Sequence, residues 1–219
     1  MRNKQRALWM TVPLLAVASM LTAFSPLPVS AAALTDTEAD GLAFMREEEK
    51  LAHDLYVALY DEYGLPVFSN IAQSESTHTQ AVLTLLETYG LSDPAEDMPA
   101  GQFTDPTLQA LYDDLLARSQ VSVEEALRVA ALVEETDILD LQERLAQTTQ
   151  PDISRTYQNL LQASGNHLRA FAMQIERQTG EEYVPQLLDA SAYASLAGGT
   201  QPGGSGTGML GRRGGGRPR

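Results

Sequence analysis

The sequence predicts an all-α fold, an antiparallel four-helix bundle with a short extra helix in the connection between the second and third long helices. Across residues 35–180 the apolar residues recur at spacings of three and four, the period of an amphipathic helix. Proline and glycine are nearly absent inside these segments and stand at their ends. Two short connections and one long one separate the four segments, which indicates two antiparallel pairs joined by a crossover.

The first helix pair has clear signals at its ends. Residues 35–38 (TDTE) form a capping box that predicts the start of the first helix, and Gly64 can take the left-handed conformation that ends it after Tyr63. The second helix follows Pro66 and ends before Gly90 in the same way. The short connection makes these two helices antiparallel neighbours.

The crossover and the third long helix carry similar signals. Residues 91–104 are rich in Asp, Pro and Gly, and Asp105 then caps a short helix that ends near Arg118. A second capping box at residues 122–125 (SVEE) begins the third long helix, which continues to about Gln147. The short helix is therefore the extra element of the crossover.

The fourth long helix completes a single helical domain over residues 35–190. Asp152 is predicted to cap this helix, which runs to Thr179 before Gly180. The chain contains no cysteine, so disulfides are excluded and a packed core must supply the stability.

Residues 1–31 are predicted to be a secretory signal peptide. Three basic residues among the first six precede an apolar run over residues 7–24 and a stretch of small residues at 29–33. Prolines within and after the apolar run favour cleavage over a retained anchor. With cleavage near Ala31 to Ala33, we expect a secreted, cell-surface or periplasmic protein without stable membrane insertion.

Charge and C-terminal composition narrow the possible partners. The formal net charge is −14 at pH 7, and an acidic surface repels phosphate backbones, so nucleic acid is not expected as a partner. Residues 198–219 are rich in Gly and Arg, with almost no side chains that can bury area, and are predicted to be disordered. A homodimer is compatible with the sequence, and no other protein partner is indicated.

The second helix carries a candidate pair of metal ligands. Glu75 and His78 are three residues apart, so on a helix their side chains lie on the same face, about one turn apart. Ile71, Ala72 and Val82 lie on that face too, which directs the pair toward the core. One ion could bind both side chains, although a Glu-x-x-His pair is also common in helices without a metal.

Carboxylates of the first and third long helices face the core as well. Glu48 and Glu134 each have apolar residues at helical spacing on both sides, and Asp137 lies one turn beyond Glu134. Buried ionised carboxylates cost free energy unless a cation compensates them. Their convergence therefore predicts a cation site.

The two halves of the domain correspond at these positions. His167 of the fourth helix faces the core, as His78 does in the second helix. Glu48 and Glu134 are 86 positions apart, and the two histidines are 89 positions apart. Each helix pair thus brings one glutamate and one histidine inward, which favours a shared metal site over unrelated core residues.

The order Glu, Glu-x-x-His, Glu and His in four successive helices resembles the ligand order of ferritin-like di-iron proteins. More closely, four segments are similar to the exported prokaryotic ferritin-like family known as domain of unknown function 2202: REEEKLAHDLY, FSNIAQSESTHTQAVLTLLETYG, VEETDILDLQ and NHLRAF. The resemblance covers about residues 38–180. It implies a ferritin-like bundle around a carboxylate-bridged metal pair, whereas the family's label carries no activity.

One position departs from the di-iron pattern. Ser164 stands where that pattern has its final glutamate, and Asp137, Glu49 or Glu135 could supply the missing carboxylate. The first ligand is also open, since the resemblance to bacterioferritin favours Glu49 whereas the count of apolar neighbours favours Glu48. The predicted ligands are Glu48, Glu75, His78, Glu134 and His167, with Glu49, Glu135 and Asp137 as alternates.

Carboxylate and imidazole ligands without thiolate suit iron or manganese, and zinc also fits. We expect one or two ions, with iron first. A di-metal site of this kind would serve iron oxidation or peroxide handling, as a ferroxidase or peroxidase type of oxidoreductase. The alternative is a degenerate ferritin-like scaffold that acts as a non-enzymatic binding or structural module, and the loss of a carboxylate at Ser164 favours it.

Overall fold

The computed structural model describes residues 33–196, so the predicted signal over residues 1–31 and the predicted tail over residues 198–219 lie outside the described residues. Within 33–196 the chain forms helices and no strand, which confirms the all-α class. The helices are α1 (Asp36–Tyr63), α2 (Pro66–Tyr89), α3 (Pro106–Ser119), α4 (Val123–Gln147), α5 (Pro151–Thr179) and α6 (Ala190–Leu196). None of them is long and apolar enough to cross a membrane.

Most helices begin and end at the capping residues that the sequence predicts. The Thr35 hydroxyl oxygen accepts the Glu38 backbone N–H at 3.2 Å, and the Glu38 carboxylate accepts the Thr35 N–H at 2.9 Å, which completes the capping box. Gly64 and Gly90 have φ values of 64° and 67°, in the left-handed region that ends α1 and α2. Asp105 caps α3 by accepting two backbone N–H groups of the first turn.

The start of α5 differs from the prediction. Pro151 is the first helical residue, and Gln150 stands at the cap with an extended backbone and no side-chain capping bond. A residue before proline favours extended conformations, and proline at the first helical position loses no hydrogen bond, so the helix begins before Asp152. Asp152 instead lies in the first turn and accepts the Tyr89 hydroxyl at 2.8 Å. The prediction that Asp152 caps the helix was therefore wrong.

The long helices pack as two consecutive pairs. α1 lies along α2, and α4 lies along α5; α1 also contacts α4, and α2 contacts α5. The connections within the pairs are only two and three residues long, so each pair is antiparallel. α3 packs against α1 and α4 in the crossover between the pairs.

A polar layer divides the apolar core into two clusters. One cluster includes Phe68 and Phe171, and the other includes Met45 and Leu86. Along α1, α2 and α5, residues of one cluster are followed by buried polar residues and then by residues of the other cluster. Because burying polar side chains is costly, a layer supplied by several helices marks the place where a site can form.

A further short helix, α6, was not predicted and packs against α5. At Gly165 an added Cβ would lie 2.9 Å from the carbonyl oxygen of Leu196, so a larger residue would push α6 away. The small residue in α5 therefore allows the end of the described chain to approach the helix that carries His167.

Candidate metal centre

The polar layer brings together side chains from four helices: Glu49 of α1, Glu75 and His78 of α2, Glu134 of α4 and His167 of α5. The three glutamates are each 2% exposed, and both histidine side chains are 11% exposed. The spacing of three residues lets α2 contribute both an acid and an imidazole from one face. The site is thus a buried cluster of carboxylates and imidazoles.

These side chains form two overlapping groups that share Glu75. In the first group, His78 Nδ1 lies 3.2 Å from Glu49 Oε2 and 2.6 Å from Glu75 Oε2. In the second, His167 Nδ1 lies 2.8 Å from Glu75 Oε1 and 3.5 Å from Glu134 Oε2. Within each group one ligand atom from every residue lies within 4.8 Å of the others. Glu75 therefore presents one oxygen to each histidine.

The hydrogen bonding of the cluster fits metal ligation. Among the described residues, Glu49 Oε1, Glu75 Oε1 and His167 Nδ1 are buried without a hydrogen-bond partner. Glu75 Oε1 and His167 Nδ1 lie 2.8 Å apart but lack the alignment of a hydrogen bond. Buried polar atoms are seldom left unpaired, and this group of closely spaced ligand atoms could hold a metal ion.

The carboxylates of the cluster stabilise positive charge on the two histidines. Burial by itself lowers the pKa of His78, but Glu49 and Glu75 outweigh burial and raise it to about 11. For His167, Glu134 and Glu75 likewise outweigh burial and raise the pKa to about 10. Burial raises the pKa of Glu75, yet the two histidines that lie close to its oxygens hold that pKa at about 2. Protons on the imidazoles or a bound metal ion can supply this positive charge.

Ser74 contacts both histidines and was missed by the sequence reasoning. Its hydroxyl oxygen lies 3.4 Å from His78 Nε2 and 3.0 Å from His167 Nε2. The two rings stack with centroids 5.5 Å apart, and their Nδ1 atoms face the carboxylates. An acceptor at Nε2 keeps the proton there and leaves Nδ1 free for a metal. The available signal was the helical spacing of four residues between Ser74 and His78.

Tyr56 positions one of the carboxylates. Its side chain is fully buried, and its hydroxyl donates to Glu134 Oε1 at 2.7 Å. Burial, followed by the charge of Glu134, raises the pKa of Tyr56 well above its usual range, so the phenol keeps its proton as a donor. Tyr56 follows Glu49 by seven residues, and this spacing places both on one face of α1.

The structure places Glu49, and not Glu48, in the cluster. Glu48 is buried beside Asp140 and Asp137 of α4, outside both groups of ligand atoms. Burial, followed by repulsion from these two carboxylates, raises its pKa well above the usual range. The position equivalent to Glu134 is therefore Glu49, which is 85 residues earlier.

Glu135, an alternate metal ligand in the sequence prediction, binds a different part of the chain. Its carboxylate accepts the Tyr183 hydroxyl at 2.6 Å and the backbone N–H groups of Gln186, Leu187 and Leu188. These donors belong to the segment between α5 and α6. Because its oxygens are occupied by that segment, Glu135 anchors the connection between α5 and α6 and does not face the cluster.

Asp137 lies beside Ser164 at the edge of the cluster. Its Oδ2 accepts the Ser164 hydroxyl, while its Oδ1 is buried without a partner among the described residues. Burial, followed by the charge of Glu134, raises the pKa of Asp137 to about 8. Neither oxygen belongs to the two closely spaced groups.

Comparison with known proteins shows a relative that matches most of this chain. The chain is 40% identical over 177 residues to the uncharacterized protein MJ0754 of Methanocaldococcus jannaschii, a match that covers 81% of this chain and 94% of the relative. It is similar to the crystal structure of hypothetical protein MJ0754 from Methanococcus jannaschii DSM 2661, with a TM-score of 0.75 and 39% identity. That superposition covers 80% of this chain and 99% of the other.

A family model also matches most of the chain. The family described as uncharacterized protein domain DUF2202 matches residues 38–198, which contain all five residues of the cluster. The match therefore includes α1 from Glu38 onward and all of α2 to α6. The chain belongs to the DUF2202 family.

Proposed function

We propose that this protein binds two divalent metal ions, iron or manganese, inside a ferritin-like bundle formed by α1, α2, α4 and α5. The observation that carries the proposal is the pair of ligand groups that share Glu75 and contain buried ligand atoms without hydrogen-bond partners. Carboxylate and imidazole ligands favour these metals, and zinc would also be accepted.

The residues divide into two sets around Glu75. Glu49 and His78 would hold one ion, Glu134 and His167 would hold the other, and Glu75, with one oxygen near each histidine, would contribute to both. Each histidine would bind through Nδ1, since Nε2 faces Ser74. This is the arrangement of a carboxylate-bridged pair in a helical bundle.

The cluster suits redox chemistry on a small oxidant. When bound, two ferrous ions would supply two electrons that, with two protons, reduce one hydrogen peroxide to two water molecules. Ser74 holds both histidines in position, and Glu49, Glu75 and Glu134 would provide carboxylate oxygens for the ions. The apolar clusters on both sides limit access of water. We therefore favour iron oxidation or peroxide handling, outside the cytoplasm if residues 1–31 direct export.

Metal analysis of the purified chain tests the proposal directly. We expect two iron or manganese ions per chain after expression with either metal, and loss of both ions in the double variant Glu75→Gln/His167→Ala. The matched control is His53→Ala, because His53 pairs with Asp54 outside the cluster. This control should keep both ions.

A wild-type chain that binds none of these metals at micromolar concentration would contradict the proposal and favour a non-enzymatic scaffold. Equal metal content in the wild type and in the double variant would also contradict it, because the ions would then lie elsewhere on the acidic surface. Wild-type metal binding without peroxide consumption would limit the function to metal binding.

A further inference from the structure

The α4–α5 pair lacks a carboxylate that the α1–α2 pair has at the corresponding position. His78 and His167 are 89 positions apart, and the same offset relates Glu75 of α2 to Ser164 of α5. The second helix pair thus has a hydroxyl at the position where the first has the carboxylate of Glu75. A neutral hydroxyl cannot balance the charge of a divalent ion.

Between α1 and α4 the difference is reversed, because α4 has a carboxylate where α1 has a small residue. Glu49 corresponds to Glu134 with an offset of 85, and this offset relates Ala52 to Asp137. The first pair therefore combines a small residue at position 52 with a carboxylate at position 75. The second pair combines a carboxylate at position 137 with a small residue at position 164. The two changes compensate each other in both size and charge.

Contacts in the structure support this exchange. Asp137 is 7% exposed, and its Oδ2 accepts the hydroxyl of Ser164, so the carboxylate of α4 lies against the position that lacks one in α5. Its Oδ1 is buried and has no partner among residues 33–196. Asp137 is also close enough to Glu49, Glu134 and Glu75 for their charges to interact.

Charge balance gives an independent reason for a fourth carboxylate. Two divalent ions carry four positive charges, whereas Glu49, Glu75 and Glu134 together carry three negative charges. With neutral histidines, one positive charge would remain in a buried site, and uncompensated buried charge is costly. Asp137 would bring the centre to neutrality.

We propose that Asp137 is the fourth carboxylate of the metal centre, replacing from α4 the carboxylate that α5 lacks at Ser164, and that the second ion depends on it. This inference rests on the proposed function, because it assumes that the two groups hold metal. Since the oxygens of Asp137 lie outside both groups of closely spaced ligand atoms, we expect its side chain to rotate toward a bound ion.

Binding of Mn²⁺ to the full chain, measured by equilibrium dialysis with metal analysis, tests the inference. We expect two ions in the wild type and one in Asp137→Asn, which keeps the shape of the side chain and its bond to Ser164. Asp140→Asn is the matched control, because it removes the same charge one turn further along α4, outside both groups. This control should keep two ions.

A swap variant tests the exchange itself. Asp137→Ala/Ser164→Glu copies the Ala52 and Glu75 arrangement of the first helix pair, so it should restore the second ion. The single variant and its control decide the inference even if the swap does not fold.

Two ions in Asp137→Asn with unchanged affinity would overturn this inference while leaving the proposed function intact. Equal loss of bound Mn²⁺ in Asp137→Asn and Asp140→Asn would also overturn this inference. The number of ions would then depend on the total charge of α4 and not on the position of Asp137. A wild-type chain that binds neither Mn²⁺ nor Fe²⁺ nor Zn²⁺ would overturn both proposals.

Discussion

Glu75 has a position that no other carboxylate of the cluster shares. Its two oxygens lie 2.6 Å from His78 Nδ1 and 2.8 Å from His167 Nδ1, so one side chain faces both imidazoles. The two histidines hold the pKa of Glu75 at about 2 against the effect of burial, so the group stays a carboxylate. A single residue thus connects the two helix pairs electrostatically.

Ser74 offers a test of how the imidazoles are oriented. We expect Ser74→Ala to weaken metal binding by about 10- to 100-fold, because both histidines lose the acceptor that keeps their protons on Nε2. A chelator competition titration with Mn²⁺ measures the change in dissociation constant.

The control for this variant is Ser76→Ala, which removes an exposed hydroxyl two residues further along α2. It should leave the affinity unchanged. An unchanged affinity in Ser74→Ala would show that packing alone orients the two rings.

At the scale of the helix, α1 shows why neighbouring glutamates have different roles. Glu47 accepts hydrogen bonds from Thr104 and Asp105 of the crossover, while Glu48 faces Asp140 of α4 and Glu49 faces His78 of α2. Successive helical residues are rotated by about 100°, so three in a row can reach three neighbours. α1 is enclosed on several sides here, and all three glutamates are buried.

The start of α1 also connects to the α4–α5 loop. The Glu38 carboxylate accepts the backbone N–H groups of Thr35 and Thr149, each bond 2.9 to 3.0 Å long. These bonds lower the pKa of Glu38 from 4.5 to about 2. Since the folded pKa is depressed, the stabilisation is present above pH 4.5 and is lost as the pH falls toward 2.

We therefore expect the stability difference between the wild type and Glu38→Gln to be largest above pH 5 and to shrink between pH 4.5 and about pH 2. Urea unfolding at several pH values measures this difference. A difference that stays constant with pH would mean that the charge of Glu38 does not stabilise the fold.

At the scale of the whole molecule, metal binding is expected to stabilise the fold. The cluster joins α1, α2, α4 and α5, and a metal bound to all four stabilises only their packed arrangement. At a free concentration of 100 times the dissociation constant, the gain is about 2.7 kcal/mol for each ion bound. For a chain of this size we expect Tm to rise by roughly 5 to 10 °C for each ion.

Thermal unfolding with Mn²⁺ and with a chelator measures this effect. The variant Glu75→Gln/His167→Ala should show no metal-dependent rise, since it lacks a residue of each group. A rise of equal size in that variant would place the stabilising ions on the acidic surface instead of in the polar layer.

Much of the fold could be predicted from the sequence because helix ends depend on neighbouring residues. The capping box at Thr35 and the glycines after α1 and α2 involve contacts within a few positions. The start of α5 was missed because the effect of Pro151 on Gln150 outweighs the capping preference of Asp152. α6 was missed because its short segment depends on contacts with α5 and not on a long periodic pattern.

The sequence by itself determined the helical class, the order of the long helices and the inward direction of Glu75, His78 and His167, because helical periodicity is a local property. Only the tertiary structure decided which helix each of the consecutive acids faces. Periodicity identifies a buried side of one helix, whereas a ligand must also meet the atoms of other helices. That requirement places Glu49 beside His78, and it places Asp137 against Ser164.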